Sequence, residues 1–180
     1  MPEDRGPPPA HLAELVRSLG PVADALDLGA GDGRLAAEIA AERLVLADTS
    51  RVALERARRR LPAATAQPLE PDGPLPLADS AFDVVVCVHV LSHVRDVQLF
   101  LSEARRVLRP GGRLALAVPG HGRATGAAIL ARGFEHAFDP RSPHLRFFTR
   151  RSLRRLLDEL GFDVESLRRR RGDLVAVARR

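Results

Sequence analysis

"LDLGAGDGRLA", residues 26–36, sets glycines at 29, 31 and 33, with Asp27 ahead of them and Asp32 between the last two. The short apolar run "ADALDLG" leads into it. "RLAAEIAAER" comes next, with Leu35, Ile39 and Ala40 on one side of a helical wheel, so the stretch reads as strand, glycine turn, helix. Glycine lets a chain turn sharply and lets a ligand or another backbone come close. In an open parallel sheet such a turn lies beyond the carboxyl end of its strand, where ligands bind.

The pattern continues outward on both sides. Upstream, Ala10 to Leu19 predicts a short helix with Leu12, Leu15, Val16 and Leu19 inward, stopped by Gly20-Pro21. Downstream, "LVLAD" (44–48) is a continuous apolar strand ending on Asp48, and Thr49 and Ser50 can cap a helix over "RVALERARRR". "PAATAQ" is a weak third strand, and the four prolines of 68–81 make a loop. "FDVVVCVHVL" (82–91) is too apolar to have a wet face. Asp96 caps "VQLFLSEARRVL", "RPGG" breaks that helix, and "RLALAVP" (113–119) is a fifth strand. Thr149 or Ser152 starts a helix bearing Leu153, Leu156, Leu157 and Leu160, closed by Gly161. "FDVESL" and "DLVAVAR" are final strands joined by a link too short for a crossover, hence an antiparallel hairpin. Alternating strands and helices give the α/β class, a parallel sheet with helices on both faces.

The 180 residues predict a single domain, 1–180, without repeats. The expected parts are an N-terminal helix and lid (1–20), a core (22–118), an irregular insertion or lid (119–146) with a short helix near "GAAILARG", and a C-terminal helix and hairpin (147–180). The start of the chain does not read as a secretory leader, and no apolar run approaches the roughly 20 residues that span a bilayer, so a cytoplasmic protein is expected. One cysteine, Cys87, excludes an internal disulfide and a multi-cysteine metal site. The net charge of +5 points toward anionic partners, but all 28 basic residues are arginine, a bias that a GC-rich genome explains. The arginine clusters at 56–60 and 168–171 have no aromatic platform beside them, which argues against nucleic acid.

Six segments in order resemble the class I S-adenosylmethionine-dependent methyltransferases, in their small-molecule branch (methyltransferase type 11-like). "LDLGAGDG" is similar to that family's glycine motif, "LVLAD" to its acidic second strand, and "LPLADSAFDVVVC" to the approach to its fourth strand. "VLSHVRD" is similar to the stretch after that strand, "RVLRPGGRLALAVP" to the family's turn and fifth strand, and "HLRFFTRRSLRRLLDELGF" to its late helix. The resemblance implies a Rossmann-like doubly wound sheet of seven strands, order 3-2-1-4-5-7-6 with strand 7 antiparallel. It implies S-adenosyl-L-methionine as cofactor and S-adenosyl-L-homocysteine as product.

It also implies roles. Gly29, Ala30, Gly31 and Gly33 would pass beneath the methionine part of the cofactor. Asp27 would order the loop or meet the amino group. Asp48, with Thr49 beside it, would grip the ribose hydroxyls. Cys87, Val88 and His89 would line the methionine side. The family's adenine-binding acid is missing at Gln67-Pro68-Leu69; Glu70 or Asp72 could replace it, and Leu69 could pack on the ring. His89 and His93 are the foremost candidate bases, with His121 and His144 flanking the insertion. Phe134, Phe138, Phe147 and Phe148 suit an apolar acceptor or a lid core.

The expected function is methyl transfer to a small or lipidic acceptor by in-line displacement, achieved mainly through positioning, by a monomer or homodimer that needs no metal. The alternatives are methylation of RNA or protein with the arginine clusters as docking face, and a module that binds the cofactor without transferring methyl.

Overall fold

The computed structural model describes residues 6–121 and 145–180. The expected helix near "GAAILARG", His144, Phe134 and Phe138 lie outside them.

One seven-stranded sheet organises the chain, in the order β3-β2-β1-β4-β5-β7-β6. Its strands are β1 (Val22–Leu28), β2 (Ala41–Asp48), β3 (Thr65–Pro68), β4 (Phe82–Val88), β5 (Leu108–Pro119), β6 (Asp163–Arg170) and β7 (Asp173–Arg179). β1 to β5 pair in parallel, whereas β7 runs antiparallel to both β5 and β6. Order and polarity are those the resemblance implied. The β6–β7 link is two residues, Arg171 and Gly172, both with positive φ (48° and 98°). That is the turn geometry whose twist matches an antiparallel pair.

Helices α1 (Ala10–Arg17), α2 (Arg51–Arg60), α3 (Val97–Val107) and α4 (Arg150–Glu159) cover the sheet. Leu12, Leu15 and Val16 of α1 pack on Val84, Val86, Ala115 and Ala117 of one face, where α2 buries Leu54 and Ala57 against Leu46. On the other face, Leu101, Ala104 and Val107 of α3 and Leu153 and Leu157 of α4 meet Val85, Cys87, Leu114, Leu116 and Ala176. The caps are largely those expected. The Ser50 side chain accepts from Ala53 N, and Asp96 accepts from Gln98 N and Leu99 N. Thr149 and Ser152 form a reciprocal capping box, so both residues serve the start of α4.

The helix expected over "RLAAEIAAER" does not form. Only a 3-10 turn, Ala36–Glu38, stands there, and Ala41, Glu42 and Arg43 belong to β2. The β1 ladder explains the difference. Val22 pairs with Ala41 and Leu28 with Ala47, so β2 must be as long as β1. The glycine turn uses the start of the short crossover, which leaves room for a single turn. A smaller difference is at "RPGG", which is an irregular step inside β5 and not a break before it: Leu108 pairs with Phe82 before the ladder resumes at Arg113.

The edge of the sheet opposite the carboxyl ends is closed by ions. Arg109 bridges Asp83 (2.5 Å) and Asp24 (2.7 Å), and Arg43 also reaches Asp24 (2.5 Å). Among the described residues no helix is long and apolar enough to cross a membrane.

Candidate functional site at the carboxyl edge

The carboxyl ends of β1, β2, β3 and β4 converge on one cavity of about 350 Å³. Nine of the residues singled out from sequence line it: Gly29, Asp48, Thr49, Leu69, Glu70, Asp72, Val88, His89 and His93. Asp27, Ala30, Gly31, Gly33 and Cys87 do not line it. The remaining wall comes from the rest of the 70–75 loop and from Val90, Val94, Leu99 and Phe100 around the start of α3. The sequence marks 68–81 as a loop and offers Leu69, Glu70 and Asp72 within it as adenine-side candidates; its prolines mark irregular backbone without saying where it folds.

The glycine turn is held by the end of β2. Gly29 N and Ala30 N both donate to Ala47 O (2.7 and 3.1 Å). Gly31 N donates to Asp48 Oδ2 at 2.8 Å, and Ser50 N donates to Asp48 Oδ1 at 2.8 Å. One carboxylate thus ties the turn to the entry of α2. The glycines answer different needs. A Cβ on Gly29 would lie 2.2 Å from Val90 Cγ2, and one on Gly33 would lie 3.1 Å from Ala57 Cα, backbone of α2 that cannot yield. Gly31 alone of the three opens on space, with nothing within 4 Å of a Cβ.

Asp27 projects from β1 into the interior and is only 3 % exposed. Burial, and secondarily the charge of Asp48, push its carboxyl up to about 7. No hydrogen bond among the described residues offsets this. Cys87 is wholly buried on the opposite face of the sheet; burial, and then the charge of Asp27, push its thiol far up. It is a packing residue with little thiolate to offer.

The strand expected over 82–91 ends at Val88. His89 takes φ 58°, its N–H donating to Ala117 O at 2.8 Å, and this turn brings the half-exposed ring to the cavity wall. Its Nε2 stands 3.0 Å from Asp173 Oδ2. His11 Nε2, from α1, stands 2.8 Å from the same oxygen. Sequence reading missed both partners. The usable signal was the antiparallel last strand, whose first residue must arrive at the carboxyl edge. His93 N donates to Val90 O, and the residue joins the same wall. His121 N donates to Phe148 O, and its ring meets Phe147 edge-on at 4.8 Å. Phe148 itself is buried in the core beneath α4.

Comparison with known proteins places this geometry. Residues 5–167 match the family model described as a methyltransferase domain. Malonyl-[acyl-carrier protein] O-methyltransferase of Methylococcus capsulatus is 35 % identical over 176 residues, covering 91 % of this chain and 58 % of that protein. Ubiquinone biosynthesis O-methyltransferase of a Chelativorans species is 30 % identical over 125 residues, covering 66 % of this chain and 49 % of the relative. The chain therefore spans only about half the length of these curated relatives. Among solved structures, an S-adenosylmethionine-dependent methyltransferase from Mesorhizobium loti superposes with a TM-score of 0.71 at 23 % identity, covering 95 % of this chain and 96 % of that one. Strand order, glycine turn and family match agree: the chain belongs to the methyltransferase domain family, class I, S-adenosylmethionine-dependent.

Proposed function

We propose that this chain methylates a small or lipidic acceptor, using the cavity at the carboxyl edge for S-adenosylmethionine and the wall formed by His89 and His93 for the acceptor. The residues present fit the cofactor. Asp48 spends one hydrogen bond per oxygen on Gly31 and Ser50, and the remaining lone pairs suit a vicinal diol in charge-assisted bonds. Beside it, Gly31 leaves a backbone surface that no side chain covers. Leu69 suits a flat apolar ring, and Glu70 stands in the same wall for an exocyclic amine. Asp27, buried and without a partner among the described residues, suits a cationic amino group. When bound, the cofactor supplies a methyl carbon already activated by its sulfonium sulfur.

The protein's own contribution is then alignment and dryness. Holding two reactants in line is worth on the order of 7–11 kcal/mol in favourable cases. Val88, Val90, Leu99 and Phe100 give the cavity an apolar wall that excludes water from the line of attack. An acceptor that holds its proton needs a base, typically worth a hundredfold or more. His89, half exposed at the wall, is the group in position to take it. The acceptors printed in the names of the relatives, an acyl-carrier-bound malonyl group and a ubiquinone precursor, support an oxygen nucleophile on an apolar body.

The observation carrying this reading is the Asp48 carboxylate shared between the glycine turn and the cavity. Calorimetric titration with S-adenosylmethionine and S-adenosylhomocysteine tests the cofactor, and methyl transfer from labelled cofactor to demethylated quinols, acyl-thioester carboxylates, RNA and protein tests the acceptor. Binding with transfer only to RNA or protein overturns the acceptor class. Binding without transfer to anything in the panel overturns the catalytic reading.

A further inference from the structure

We infer that Asp173 is a positioning residue for His89, fixing which ring nitrogen faces the acceptor. The inference deepens the proposed function and rests on its reading of His89.

Topology creates the contact. β7 is the antiparallel strand, so its first residue reaches the edge where the parallel strands end; Asp173 pairs with Pro119 at the close of β5. On the other side of β5, His89 comes directly after the last residue of β4. The tight Arg171-Gly172 turn fixes where Asp173 stands, and the left-handed backbone at His89 turns its ring toward it. The result is Nε2 at 3.0 Å from Asp173 Oδ2.

The contact is close, and a bare nitrogen lone pair 3.0 Å from a carboxylate oxygen would be repelled, so the His89 nitrogen beside it carries the hydrogen. Nδ1 is then left with its lone pair free for the acceptor's proton. This is the relation in which a carboxylate sets the tautomer and angle of an imidazole without itself taking up the proton.

His11 completes the arrangement and breaks its symmetry. Its Nε2 donates to the same oxygen at 2.8 Å, but its ring is 11 % exposed, and Nδ1 is buried with no hydrogen-bond partner among the described residues. The His89 side chain is 44 % exposed at the cavity. Of the two imidazoles on Asp173, His89 is therefore the one open to an acceptor and to water. Among the described residues, the groups facing His89 from the packed elements are Asp173 on the hairpin and, through that carboxylate, His11 on α1; His93 shares its cavity wall.

In the step this supports, an acceptor O–H or N–H gives its proton to His89 Nδ1 as the nucleophile's lone pair bonds the methyl carbon. The carbon–sulfur electron pair goes to the sulfur, leaving a neutral thioether. Methyl, proton and electron pair are all accounted for, and no further reactant is needed.

The test begins on the ligand-free protein, with nitrogen-15 correlation spectra of the histidine rings. Wild type should show His89 and His11 as Nε2–H tautomers. In Asp173→Asn and Asp173→Ala, His89 should relax to the mixture of a free imidazole, with the fold verified by the β5–β7 amide pattern. A free-imidazole mixture in wild type, or the same tautomer in wild type and both variants, overturns the inference. With an acceptor from the labelled panel, Asp173→Asn should lower kcat at least tenfold with KM changed less than threefold; a change in KM alone also overturns it. Full activity in His89→Asn would instead overturn the reading of His89 as base, leaving the tautomer spectra to decide what Asp173 does.

Discussion

Asp48 Oδ2 accepts the N–H of Gly31 at 2.8 Å, so the carboxylate at the end of β2 is the anchor of the glycine turn on β1. The proposed ribose grip and the loop geometry fall on the same side chain. Asp48→Ala removes the grip proposed for the ribose and frees the turn. The expected loss is roughly 10- to 100-fold in affinity for S-adenosylmethionine, the worth of one or two hydrogen bonds to a charged group. Asp48→Asn, which keeps one accepting oxygen, should fall between. Calorimetric Kd values check this; an alanine variant that binds as tightly as wild type would remove Asp48 from the site.

The chain departs from its family where an adenine-binding acid is expected, and two acids line the cavity nearby. Asp72 is committed: its Oδ1 accepts from Arg95 N at 3.0 Å and its Oδ2 lies 3.7 Å from Arg95 Nε. Glu70 has no such ties among the described residues. Glu70→Ala should therefore weaken cofactor binding about tenfold, as expected for one charge-assisted hydrogen bond. Asp72→Ala should cost less affinity and act through the loop. Equal effects, or the reverse order, would show that the free carboxylate is not the one used.

Asp27 makes a prediction about pH. Burial and the Asp48 charge raise its folded-state value to about 7 from an ordinary 3.8. Between those values the native state holds a proton that the unfolded chain releases, so this group costs stability as pH climbs from about 4 to 7, then levels off. The full cost is on the order of 4 kcal/mol. Asp24, Asp83 and Glu103 act oppositely. Arg43, Arg109 and Arg106 respectively hold them low, so their stabilisation is present above about pH 4 and lost below it. Urea unfolding at pH 5 and pH 8 separates the two. Asp27→Asn should be more stable relative to wild type at pH 8 than at pH 5. Parallel pH dependence in the two proteins would mean that Asp27 is already ionised when buried.

The residues that carry the fold were plain in the sequence because each carries its own local physics. Asp96 caps where it stands and Thr149 or Ser152 marks the start of α4, the apolar 82–91 run reads only as a buried strand (it ends at Val88), and the "RRRRGD" link is too short for a crossover. The helix over 34–43 does not form although Leu35, Ile39 and Ala40 share a helix face: Leu35 packs with the α1 cluster, Ile39 meets both that cluster and the one under α2, and Ala40 is exposed. What decides is the β1–β2 register, a relation between distant strands. The site divides the same way. Asp48 and Gly31 sit seventeen residues apart, within one strand–turn–strand unit, and both stand out in the sequence. Asp173 reaches His89 from the far end of the chain and His11 reaches Asp173 from the near end, and nothing local marks either contact.

Gly29 supplies the sharpest test of the turn. Its φ is +87°, and an added Cβ would meet Val90 Cγ2 at 2.2 Å, far inside contact. Gly29→Ala should therefore destabilise the protein by about 3 kcal/mol, part from overpacking and part from holding alanine at positive φ. The two parts can be told apart. Val90→Ala removes the clashing methyl and, for a half-buried side chain, should alone cost about 1 kcal/mol. In the double variant the clash is gone and only the backbone strain remains. The pair should thus be more stable than the sum of the single losses by about 1–2 kcal/mol, read from urea midpoints at constant slope. Additive losses would mean that the turn moves aside from Val90. The close contact between the glycine turn and the wall of the cavity would then not constrain either one.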